Sequence, residues 1–167
     1  MHQIGDKIMY GAVGVMTIVD IREESALDVS RSYYVLRPEL VRTESLTFVP
    51  TDNERLVSFM RPLLSKEEIM DFIHSIPSLK PIEWIPESRA RQEFFRRVME
   101  SGDRTQIYAM ICTIDESEKR RIAEGKKNFI SDDNARSKAK KLLYSEISVV
   151  LGIPEDSVEA FISNIIG

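Results

Sequence analysis

The chain changes its hydrophobic period once, near residue 61. Before that point, apolar and polar positions alternate in short runs. VGVMTIVDI (13–21), SYYVLRP (32–38), SLTFVP (45–50) and LVSFM (56–60) are rich in β-branched and aromatic residues, and the polar clusters EESALDVS, ELVRTE and TDNE separate them. This pattern predicts short strands joined by hairpins. A two-stranded ribbon of that size is unstable alone, so the strands are expected to curl into a small β-barrel that buries one face and limits its exposed edges. GAVGV (11–15) has no following Lys-Ser/Thr and opens no helix, so it reads as a bend between strands and not as a phosphate loop.

From Ser65 onward the period is helical. Ser65 and Glu68 have capping-box spacing and open a helix to about Ser75. Pro77, Pro81 and Pro86 punctuate the next segment, and Pro86 suits the first turn of a helix that Gly102 stops after Ser101. Asp103 caps a third helix, which Gly125 ends. Ser131 caps a fourth running to Leu151 before Gly152, and Pro154 begins a short fifth. The expected fold class is α+β: a barrel over residues 1–61, then an all-helical domain of about five helices over residues 65–167.

Composition narrows the function classes. The net charge of −4 argues against strong unaided binding to nucleic acid. The distribution says more than the sum. Residues 119–141 carry nine Lys or Arg against three Asp or Glu, whereas residues 142–167 carry four acids and no base, which predicts one basic face on an acidic body. Neither a signal peptide nor a long apolar run is visible, so a cytoplasmic protein with no membrane role is expected. The single cysteine, Cys112, lies in an apolar helical pattern and reads as core. His2 and His74 have no second ligand at metal spacing, and the carboxylates Asp115, Glu116 and Glu118 read as a solvated helix face. No catalytic, metal or cofactor constellation emerges, and a binding module is expected rather than an enzyme.

The most informative stretch is PIEWIPESRARQEFFRRVMESGD (81–103), which holds the only tryptophan, Trp84. At 100° per residue, Phe94, Phe95, Val98 and Met99 share one arc, while Arg89 and Arg96 lie opposite with Arg97 beside them. Trp84 precedes this helix on an elbow stiffened by prolines. Two readings stand: inward packing, which is usual for Trp, or display as an apolar wedge against bases in a minor groove, with arginines on phosphates. The basic stretch carries the same choice. Lys126, Lys127, Arg136, Lys138, Lys140 and Lys141 either solvate a helix pair or form a phosphate-contacting surface, with Phe129 as a staple between helices or as a partner-facing ring.

Taken in order, several stretches resemble the CarD family of bacterial transcription regulators, whose N-terminal half is shared with the RNA polymerase-interacting domain of transcription-repair coupling factor. They are IGDKIMY (4–10) with GVMTIVDI after it, YYVL (33–36), FVP (48–50), Trp84 before an Arg-rich helix ending ESGD (100–103), Ser131, and AKKLLYSE (139–146). The resemblance implies a Tudor-like barrel that adds a strand edge to the polymerase β subunit through Thr47, Phe48, Val49 and Pro50. It also implies a helical domain at the upstream edge of the promoter bubble, where Trp84 wedges into the minor groove and stabilises the open complex. Trp84, Arg89, Arg91, Arg96, Lys126, Lys127, Arg136, Lys138 and Lys140 are the DNA-contacting candidates, with Arg89 and Arg91 nearest the wedge. Phe48 stands where many relatives carry a basic residue, so main-chain pairing rather than a salt bridge is implied there. The alternative is a protein-only adaptor whose helical half binds a second protein and whose Trp is core. A dimer through the barrel edge is a further possibility for the free protein.

Overall fold

The computed structural model describes all residues from Met1 to Gly167, which divide into two compact units, Met1–Leu63 and Leu64–Gly167.

The first unit is an antiparallel five-stranded sheet with spatial order β4-β3-β2-β1-β5: β1 Lys7–Tyr10, β2 Gly14–Ala26, β3 Val29–Pro38, β4 Thr47–Pro50 and β5 Met60–Pro62. Ile8, Met16, Ile18, Leu36, Val49 and Met60 form one core to which every strand contributes. Both edge strands reach the same core, as a curled sheet requires. The short helix α1 (Glu54–Ser58) packs against β4 and β5 and covers the gap between them. Gly11, at φ +51°, turns the chain from β1 into β2, with Val13 N–H donating to the Tyr10 carbonyl at 2.9 Å.

Two expectations need correction here. The segment 56–60 was read as a strand, but most of it is α1. Asn53 accepts from the Leu56 N–H and fixes a helical turn, a local capping signal that overrides the β-branched content. The polar cluster 23–30 was read as a turn. It is instead mostly ladder, because β2 and β3 continue as a hairpin arm to the pair Ala26↔Val29, turning only at Leu27 and Asp28, both at positive φ. A bulge at Ile18/Asp20 precedes the arm, and residues 21–31 are exposed on both faces, so no apolar alternation marks this strand in the sequence.

The second unit contains α2 Lys66–Ser75, α3 Ser88–Ser101, α4 Arg104–Ala123, α5 Ile130–Leu151 and α6 Val158–Ile166. Local signals set most of the ends. The Ser65–Glu68 capping box opens α2, Asp103 caps α4, and Gly102 and Gly152 close α3 and α5 in the left-handed conformation. Two starts shift. Glu87 caps α3 by accepting from the Arg89 and Ala90 N–H groups, so Pro86 precedes the helix instead of lying in its first turn, and α5 starts at Ile130, so Ser131 lies inside its first turn. Ile69, Phe72, Ile73, Ile76, Ile147, Val158 and Ile162 join α2, α5 and α6 in one core. Burying each such side chain stabilises the unit by about 1.5–3 kcal/mol. The buried carboxylate of Glu146 accepts from the Leu64 N–H at 2.9 Å and from Arg104 at 2.7 Å, fixing the start of the unit.

No helix is long and apolar enough to cross a membrane.

Candidate interaction surfaces

In the sheet unit the candidate site is the open edge of β4. The Thr51 N–H donates to the Ser32 carbonyl at 2.9 Å, and the register pairs Tyr34 with Val49 and Leu36 with Thr47. Antiparallel ladders alternate, so Thr47 and Val49 direct their main-chain groups to β3, and Phe48 directs both its N–H and its carbonyl outward. The four expected residues therefore differ in kind. Val49 is fully buried, Thr47 and Pro50 are half-buried, and the Pro50 carbonyl accepts from the Asn53 N–H. Phe48 is 41% exposed, edge-to-face with Tyr33, and lies under the Arg22 guanidinium at 5.7 Å. One residue thus supplies an unpaired donor and acceptor and an exposed ring.

In the helical unit the candidate site forms around Trp84. The segment before it is tied to α4, where the Thr113 hydroxyl accepts from the Ile82 N–H at 3.3 Å. The indole is half-buried, between the two conformations the sequence allowed. It lines a shallow cleft of about 230 Å³ with Ser117, Arg120, Arg121, Glu124 and Phe129. The Arg91 guanidinium lies 4.5 Å from the Trp84 ring centroid and 5.2 Å from that of Phe129, and Arg121 stacks on Phe129 at 3.9 Å. Rings and guanidinium groups thus form a connected stack of cation–π contacts.

The cations expected at DNA separate into two groups. Arg91 is corrected: it is 1% exposed and donates to Asp132 Oδ1 at 3.0 Å, so it cannot reach a phosphate on the surface. Its position four residues before Phe95 and seven before Val98 places it on the apolar arc of α3, a signal present in the sequence. Arg96 is held by Glu93 at 2.5 Å and Glu100 at 2.7 Å, which raises its pKa and lowers that of Glu93. Arg136 donates to Glu118, to Asp115 at 2.7 Å and to Asp133 at 2.9 Å, and the bonds to Glu118 and Asp115 raise its pKa. Lys140 pairs with Glu159 at 3.0 Å. Lys126 faces Glu124 at 3.4 Å with both side chains more than half exposed, a pair that water screens heavily. Arg89, Lys127 and Lys138 are exposed and outside every ion pair.

Sequence reasoning passed over Arg120 and Arg121. Both lie in the last turn of α4, inside the basic stretch already noted, and the fold sets them beside Trp84. Arg120 is exposed, and the Arg121 Nε donates to the Lys127 carbonyl at 2.8 Å. No group of three or more His, Cys, Asp or Glu is placed to hold a metal ion. Burial pushes the Cys112 thiol pKa up, aided by Asp115 and Glu116, which disfavours the thiolate needed for nucleophilic chemistry.

These features define an α+β protein with a curled sheet unit, open at one edge, and a helical unit that presents a ring-and-guanidinium cleft. Residues 2–64, the N-terminal unit, match the family model of the CarD-like/TRCF RID domain. The chain is also 24% identical over 164 residues to YdeB of Bacillus subtilis (strain 168), a protein named as a candidate transcription factor, with 96% of this chain and 99% of YdeB covered. The N-terminal unit is therefore similar to the CarD-like/TRCF RID domains, and the whole chain is similar in length and extent to YdeB.

Proposed function

We propose that the protein binds the RNA polymerase β subunit through the β4 edge and stabilises the promoter open complex by wedging Trp84 into the minor groove at the upstream edge of the bubble. The match of residues 2–64 to a polymerase-interacting domain family carries this reading. The outward main-chain groups of Phe48 suit strand addition, which depends on backbone pairing rather than on a particular side chain. The exposed cations around the cleft and on α3 and α5, namely Arg89, Arg120, Lys127 and Lys138, hold the phosphates. The protein acts in the cytoplasm on polymerase, without a cofactor or catalysis.

Weak intrinsic DNA affinity is sufficient. Non-specific binding is typically about 10⁻⁴ to 10⁻⁶ M. Tethering to polymerase supplies an effective concentration on the order of millimolar. A stabilisation of about 1.4 kcal/mol shifts the open-complex equilibrium roughly tenfold. A wedge that reads groove shape acts at many promoters with little sequence preference.

The test is Trp84→Ala, assayed for unfolding midpoint and for open-complex lifetime. A folded variant with a lifetime shortened by about tenfold supports the wedge. A folded variant with an unchanged lifetime overturns it and favours a protein-only adaptor.

A further inference from the structure

We infer that Arg91 is the positioning residue for Trp84: a buried clamp that fixes the elbow and the ring, so that the indole is already immobilised before DNA arrives. This deepens the wedge reading above and rests on it for its DNA readout.

The contacts of Arg91 converge on residues 84–86. Its Nη1 donates to the Ile85 carbonyl at 3.0 Å and to the Pro86 carbonyl at 3.1 Å, the two residues that follow Trp84. Its guanidinium plane lies over the Trp84 ring at 4.5 Å. One side chain therefore holds both the backbone after the tryptophan and the tryptophan itself. Pro86 has a fixed φ, and Ile85 before it is restricted to extended conformations, so little freedom remains in the elbow except at Trp84. Arg91 removes it.

The clamp is itself anchored. Arg91 Nε donates to Asp132 Oδ1 at 3.0 Å, and Gln92 Nε2 donates to the same oxygen at 2.6 Å. Asp132 is fully buried in the first turn of α5, and Phe129 just before that turn stacks on Arg91. The elbow, α3 and the start of α5 are thus joined through one guanidinium.

Stability alone does not account for this pair. Two charges removed from water gain little net free energy from each other, and a well-packed apolar pair of similar volume is often as stable or more so. Here the pair is also incompletely satisfied, since Arg91 Nη2 and Asp132 Oδ2 are buried without hydrogen-bond partners. What the ion pair supplies, and an apolar pair cannot, is a planar fork directed at two carbonyls and one ring. Immobilising the ring beforehand reduces the ordering cost of insertion, an effect of about two- to tenfold for one side chain.

Trp84 is the only tryptophan, so its emission reports this site alone. The full-length chain is prepared as Arg91→Met combined with Asp132→Leu, which removes both charges together, and separately as Arg91→Lys, which keeps a cation for Asp132 but loses the fork. Each is measured for unfolding midpoint, acrylamide quenching of Trp84, and open-complex lifetime with polymerase. The paired variant is expected to stay folded, to raise the quenching constant about twofold, and to shorten the lifetime about two- to tenfold, with Arg91→Lys in between. Unchanged quenching in a folded variant overturns the clamp, and if the paired variant fails to fold, Arg91→Lys decides alone. Raised quenching with an unchanged lifetime also overturns it, provided Trp84→Ala shortens the lifetime. If Trp84→Ala has no effect either, raised quenching supports the clamp while the wedge reading fails.

Discussion

The two units present their candidate surfaces in different ways. The sheet unit presents backbone, and the helical unit presents side chains. On β4 the outward N–H and carbonyl of Phe48 are fixed by strand alternation, so a change of side chain at that position leaves them in place. Around Trp84 every useful group is a side chain whose availability depends on its neighbours. Arg96 is paired with two carboxylates while still exposed, Arg136 is enclosed by three, Arg91 is internal, and Arg120 is free. A strand edge is thus robust to sequence drift, whereas a basic surface must be judged one cation at a time.

The severest challenge to the helical side of this comparison is Asp132→Ala. It strands the Arg91 charge in the interior and is expected to cost about 3–5 kcal/mol in chemical denaturation. A cost near zero would mean that the buried pair organises nothing. On the sheet side, Phe48→Pro removes the outward donor without touching the ladder to β3. Polymerase affinity should fall about tenfold or more, as loss of a main-chain hydrogen bond plus a misfit at the edge requires. Phe48→Thr keeps the donor and should lose less than about threefold by the same reasoning. Equal losses in a binding titration would show that the ring, not the backbone, matters.

A finer comparison lies within the helical unit. Arg120→Gln should flatten the dependence of log affinity on log salt by roughly 0.9, measured on the polymerase–promoter complex, and Arg96→Gln should leave it unchanged. The reverse result would mean that the ion pairs of α3 open on binding.

The smallest expected effect concerns what holds the sheet unit. Hydrogen bonds from Lys7 and Thr17 hold the Glu39 pKa below its usual value. With the folded value below the unfolded one, the stabilisation is present above the ordinary carboxylate range and fades as pH falls through the folded value. Glu39→Gln should therefore lower the unfolding midpoint slightly at neutral pH, and the difference should shrink as pH falls through the folded value. A loss that persists in acid would assign the effect to shape rather than charge.

Helix ends were legible because their signals are local: the Ser65–Glu68 box, Asp103, Gly102 and Gly152 act within a turn or two. The switch from sheet to helix was legible for the same reason. The arm beyond Ile21 was not, because a strand exposed on both faces carries no alternation.

By itself, the sequence determined the α+β class, the switch from sheet to helix, the order of the helices after Ser65, and a stiff elbow carrying Trp84, since each follows from periods and caps within a few residues. Beyond the local pairing of Arg96 with Glu93 and Glu100 on α3, only the tertiary structure decided which cations remain free. Arg91 meets Asp132 across 41 positions, and Arg136 meets Asp115 across 21. The same folding brings Arg120 to Trp84 and makes Arg91 an internal support rather than a surface charge. Coulomb attraction acts through space and not along the chain, so a count of charges in sequence order cannot show which are already neutralised.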